Sequence, residues 1–132
     1  MSATLEMKFD RRPSTVAYML RACHRSAGLR QAGGFPPIRA SWKQCRVDRR
    51  HLALFLQLTG LRADGALPLL YPHVFGFPLQ MAILTHPAFP LPIWNSLQIR
   101  NHLLQHRPIG EDAVLDLVGD DYGPIRITVE RI

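Results

Sequence analysis

Between Tyr71 and Leu84 the chain runs almost without a charged or strongly polar residue, Tyr71-Pro72-His73-Val74-Phe75-Gly76-Phe77-Pro78-Leu79-Gln80-Met81-Ala82-Ile83-Leu84, inside a sequence that is otherwise polar and rich in arginine. From Pro78 to His86 the apolar positions Leu79, Met81, Ala82, Ile83 and Leu84 fall on every side of a helix, the pattern of a helix enclosed by other structure. Proline is tolerated in a first helical turn, so the spacing predicts a buried helix opened by Pro78 and closed by Pro87. It is far too short to cross a bilayer. In residues 93 to 104, Ile93, Leu97, Ile99 and Leu103 alternate with Trp94, Ser96, Gln98, Arg100 and His102, which predicts a half-buried antiparallel strand.

The flanking elements follow from punctuation as much as from periodicity. Val16, Met19, Leu20 and Cys23 recur at helical spacing after Pro13, predicting a short amphipathic helix over 13 to 24. Gly28, Gly33, Gly34, Pro36 and Pro37 then forbid a continuous helix or ladder and mark a linker. Residues 38 to 47 read as extended, although Trp42, Cys45 and Val47 do not share one parity. Asp48 is suited to cap a helix over 49 to 59, with Val47 and Leu52 as its hydrophobic staple, Leu52, Phe55, Leu56 and Thr59 on one face, and Gly60 as the stop. Beyond a loop from Arg62 to Pro68 and the apolar segment, Ala113 to Val118 reads as a strand. Asp120 to Pro124 reads as a turn, and Ile125, Ile127 and Val129 alternate with polar residues to the end.

Helices followed by a meander of strands imply an α+β domain in which an antiparallel sheet wraps a central buried helix, a hot-dog fold. Residues 1 to 37 form a leading helix and linker, and 38 to 132 one domain whose four strands fall short of a full sheet. Its last strand is then an edge that needs pairing, so a partner is expected. The formal charge of +6 is unevenly spread: ten Arg and two Lys against three acids give residues 1 to 62 a net +9, while residues 63 to 132 carry −3. The arginines are scattered and no aromatic-interleaved motif accompanies them, so nucleic acid is not the expected partner; a carboxylate, a phosphate or an acidic protein fits as well. Cys23 and Cys45 lie at no metal spacing and read as small buried hydrophobes. Met1 to Asp10 holds no apolar signal core, so the expected compartment is the cytoplasm.

Tyr71-Pro72-His73-Val74 with Phe77-Pro78-Leu79, then Thr85-His86-Pro87-Ala88-Phe89-Pro90, and Ile99-Arg100-Asn101 with Gln105-His106-Arg107-Pro108 occur in an order that resembles the N-terminal hot-dog half of two-domain MaoC-like acyl dehydratases, the (R)-specific enoyl-CoA hydratases. The similarity runs from about residue 38 to 110. It implies a protein of acyl-thioester metabolism, acting with a thioester on coenzyme A or a carrier protein, without a cofactor, and assembled as a homodimer or with a catalytic hot-dog subunit. In that family a Ser-Gly-Asp-x-Asn-Pro-x-His stretch supplies an Asp and a His that activate water, and a backbone amide polarises the thioester carbonyl. The matching place here reads Thr59-Gly60-Leu61-Arg62-Ala63-Asp64-Gly65, with Leu61 where the resemblance would put the Asp. Leucine cannot move a proton, so this half is expected to be non-catalytic, with the catalytic half lying beyond it.

Asp64 and His73 are the weak stand-ins for the missing pair; the alternative is turn chemistry for Asp64-Gly65 and a backbone hydrogen bond for His73. Tyr71, Phe75, Phe77 and Met81 are the candidates to line an acyl tunnel, with core packing the stronger reading. Arg100, His102, His106 and Arg107 read as solvated or interfacial. His102 and His106, roughly 13 Å apart along a strand, do not make a metal site. Two other functions remain open: a hydratase or thioesterase active by itself, and a module that binds an acyl thioester or an acidic partner without turnover.

Overall fold

The computed structural model describes residues 4–23, 35–97, 100–121 and 125–130, the side chain of residue 95 excepted. The elements in chain order are β1 (Leu5–Phe9), α1 (Thr15–Arg21), β2 (Ile38–Arg46), α2 (Arg49–Thr59), α3 (Tyr71–Leu84), a 3₁₀ turn (Ile93–Asn95), β3 (Val114–Asp120) and β4 (Arg126–Val129). The strands form one sheet in the order β1-β2-β3-β4, with β1 parallel to β2 and the other pairs antiparallel. This is an α+β arrangement compatible with a hot-dog fold, with α3 packed against β2 and β3.

The core lies between that helix and the inner face of the sheet. Tyr71, Phe75, Leu79 and Ile83, four residues apart, make one buried stripe on α3. It meets Ile38, Ala40 and Trp42 of β2 and Leu115 and Leu117 of β3. Gly76 lets the helix come close: a β-carbon there would lie 3.0 Å from a Leu117 methyl. The second half of α3 is enclosed as its all-round hydrophobicity predicts, with Pro78, Leu79, Met81, Ala82 and Ile83 all buried, whereas Val74 and Phe77 leave one side of the first half open.

The helix starts earlier than the prolines suggest. Pro72 occupies the first turn, where its missing N–H costs nothing, and Pro78 sits inside the helix. The amides of Thr85 and His86 close the end onto Met81 and Ile83 carbonyls. Arg21, at the end of α1, donates from Nε to Thr85 O (2.9 Å) and from Nη2 to Ala82 O (3.0 Å). A cation over the last carbonyls of a helix satisfies orphan acceptors and complements the negative end of its dipole.

Several expectations need correction. The described residues of 93 to 104 are not a strand: the chain makes a 3₁₀ turn at Ile93–Asn95, Leu97 and Leu104 are exposed, and residues 98 and 99 lie outside the described set. Alternation without a pairing neighbour does not make a ladder. The edge place that this segment would have filled is not vacant in number, because Leu5–Phe9 supplies a strand the sequence reading missed. Helix α1 covers 15 to 21, capped by Ser14, and its Val16, Met19 and Leu20 are exposed. Cys23 is exposed as well; only Cys45 is buried, and its thiol is pushed up to about 12 by burial, with Asp116 adding to the rise.

Candidate functional site

The place where the resemblance would set a proton-transfer residue is the loop between α2 and α3. Asp48 caps α2 by accepting from the Arg50 and His51 amides, and these two bonds hold its carboxyl below the usual range. Gly60 ends the helix in the left-handed region (φ 73°), where its amide reaches Leu56 O. Leu61 is half exposed. Asp64 is exposed and turned onto its own loop: Oδ1 accepts from the Ala66 amide at 3.0 Å, and Gly65 supplies the positive φ (85°) that the turn needs. Ala66 bridges Gly110, and the Leu67 amide donates to Ile109 O at 2.7 Å, which ties the loop to the strand-ward segment.

His73 is half-buried on the first turn of α3, and no hydrogen bond joins its imidazole to Asp64 or to any other described residue. A general acid–base pair needs both groups on one water, and no direct bond links these two. Arg100, His102, His106 and Arg107 are exposed on the segment before β3. No group of three or more His, Cys, Asp or Glu among the described residues could hold a metal ion.

The polar constellation that does form at the start of α3 uses His51, which carried no weight in the sequence reading. Tyr71 is fully buried, and its Oη lies 2.9 Å from His51 Nδ1; Arg12 Nη2 lies 3.4 Å from His51 Nε2. A guanidinium can only donate, so Nε2 accepts, and Nδ1 carries the proton and donates to the phenol oxygen. Burial first, and then the charge of Arg12, depress the His51 pKa, while Asp48 opposes them. Burial pushes the Tyr71 phenol up to about 12. The neutral imidazole and the un-ionised phenol act as a clamp between α2 and α3. One signal for it was available: His51 stands three residues after the Asp48 cap, on the turn that faces the next element.

Of the tunnel candidates, Tyr71 and Phe75 belong to a single aromatic stack. Tyr71 lies 6.0 Å from Phe75, Phe75 lies 5.0 Å from Trp42, and Phe55 meets Tyr71 edge-on at 5.3 Å. Met81 is buried farther along α3, and Phe77 faces outward with 40% of its surface exposed.

Comparison with known proteins gives one relative. The chain is similar to the 3-hydroxyacyl-thioester dehydratase X of Mycobacterium tuberculosis (strain ATCC 25618 / H37Rv), with 34% identity over 86 residues, 65% of this chain and 28% of that protein. The chain thus spans well under a third of that relative's length. No family model matches it. No solved structure matches it. The likeness is therefore to one part of a protein named for 3-hydroxyacyl-thioester dehydration.

Proposed function

We propose that this chain is a hot-dog module of acyl-thioester dehydration that binds or shapes the site for the acyl thioester and leaves proton transfer to a catalytic hot-dog partner. The observation that carries this reading is the identity to a 3-hydroxyacyl-thioester dehydratase over 86 residues. The buried helix against the sheet supports it. Leu61 at the loop position where the resemblance places an acid, and an Asp64 occupied by its own turn, support the non-catalytic assignment. The substrate class is a 3-hydroxyacyl or 2-enoyl thioester on coenzyme A or a carrier protein. The exposed leucines of α2 and the edge of β4, unpaired among the described residues, favour a partner, either a second copy or a catalytic subunit.

The test is hydration of a short and a medium 2-enoyl-CoA, followed by loss of the conjugated thioester absorbance, together with binding of the same thioesters and mass in solution. The reading expects no turnover at high protein concentration, measurable acyl-CoA binding, and a species of at least twice the 15.0 kDa chain mass. Turnover that Asp64→Asn or His73→Ala abolishes would replace it with a self-sufficient hydratase. A monomer that binds no thioester would remove it.

A further inference from the structure

The acyl-thioester reading draws on α3 and the inner face of the sheet, and gives no task to the outer face. There a depression of about 440 Å³ lies across β1, β2 and β3. Among its lining residues is Ser41, half-buried in the strand, whose hydroxyl makes no hydrogen bond to a described residue. The ladders set its neighbours: Lys8 pairs with Ser41 across the parallel β1–β2 register, and Val118 pairs with it on the other side. Arg39 and Lys43 stand two residues before and after Ser41 and line the same depression. With strands about 4.8 Å apart and same-face residues roughly 7 Å apart along a strand, the three cations spring from points that surround one hydroxyl.

Lys8, Arg39 and Lys43 are exposed, and none forms a salt bridge with a described residue. Arg49, from the same basic half, is by contrast held by Glu111 and Asp112. Among the charges lining the trough Glu6 is the single acid, beside Arg39 in the register. Asp120 faces Arg39 across the other ladder, just outside the lining, and the charge of Lys43 acts on the Glu130 carboxylate, so Lys8 is the cation under least competition. Past Lys43, Asp116 accepts from the Gln44 amide and, after burial, raises the Glu130 carboxyl beside it.

We propose that this trough binds a multiply charged phosphate group, the class that includes diphosphates and nucleoside bisphosphates. Three cations spread over one open concavity suit several phosphate oxygens better than one carboxylate, and the ammonium groups act as point charges without demanding one geometry. The site lies on the face of the sheet opposite α3, so it reads the charge of a ligand and not an acyl tail. It stands whether or not the chain handles thioesters.

The experiment is a backbone amide NMR titration of the full chain at low salt with adenosine 3′,5′-bisphosphate, with pyrophosphate, and with uncharged adenosine. Saturable shifts confined to residues 6–9 and 39–43 are expected with the first two ligands and none with adenosine. Lys8→Ala and Lys43→Ala, both at exposed positions, should each weaken binding on the order of fivefold, Glu6→Gln should tighten it, and added salt should weaken it throughout. Shifts that do not saturate, an unchanged affinity in both lysine variants, or bisphosphate binding that pyrophosphate cannot displace would overturn the proposal. The last outcome would mean that the nucleoside, not the phosphates, holds the ligand.

Discussion

Phe75 and Phe77 lie two residues apart on one helix, and their truncation separates a packed core from an acyl-lined cavity. Phe75 is 1% exposed, stacked between Trp42 and Tyr71. Removing a buried phenyl ring costs about 3–5 kcal/mol through lost transfer energy and the cavity left behind. Two aromatic contacts place this position toward the upper end, since each adds roughly 0.5–1.5 kcal/mol beyond area burial. Against a total stability of about 5–15 kcal/mol, Phe75→Ala should remove a third or more. The melting midpoint should fall by about 10–20 °C, at some 3–5 °C per kcal/mol for a domain of this size. Phe77 is 40% exposed, so Phe77→Ala should cost under about 1 kcal/mol. Denaturant titration of the two variants, with medium-chain acyl-CoA binding measured on each, checks the contrast. If Phe75→Ala lost less than about 1 kcal/mol while gaining affinity for longer acyl chains, Phe75 would line a void and the packing argument would fail.

Arg21→Ala should cost about 2–3 kcal/mol, because two charge-assisted bonds to the end of α3 are lost and the freed carbonyls recover only part of that from water; Arg21→Lys should recover some of the loss, and hydrogen exchange should quicken in the last turn of α3. His51 and His86 both have pKa values held below the ordinary 6.5, by burial first, and the unfolded chain therefore binds more protons than the folded one in that range. The stability they contribute is complete above pH 6.5 and is lost as pH falls below it, so the denaturation midpoint should drop between pH 7.5 and 5.5, with a shallower slope in His51→Gln. A midpoint flat over that window would contradict the burial of both rings.

What could be read in advance followed the strength of local signals. Asp48, the Val47 and Leu52 staple and Gly60 bound α2 at 49 and 59, because a cap, a staple and a left-handed stop are contained within a dozen residues. The broken parity of β2 was also visible, though not its cause. Ile38, Ala40 and Trp42 face inward, Gln44 adopts φ 56°, and the register slips between Trp42 and Cys45, so Cys45 and Val47 return to the inner side one residue out of step. That is a β-bulge. The strand missed at Leu5–Phe9 had no such signal, since a parallel pairing with residues more than thirty positions away leaves no turn nearby. The error at 93 to 104 is its mirror image, a periodic segment whose described residues pair with no strand. At the candidate site, the absence of an acid at Leu61 was plain from spelling, whereas the clamp of His51, Tyr71 and Arg12 depends on three elements meeting in space.

The parallel alignment of Leu5 with Ile38 also orders events in time. Bringing two points 33 residues apart together costs on the order of 3 kcal/mol of chain entropy, and five residues of ladder must recover it. Beyond that cost, the strand lies at the sheet edge with only Met7 and Phe9 half-buried, so the amino-terminal ribbon should peel away first. Lys8 travels with it, so the outer cationic trough exists only while that ribbon is seated, and an anion held there would act as a latch on the start of the chain.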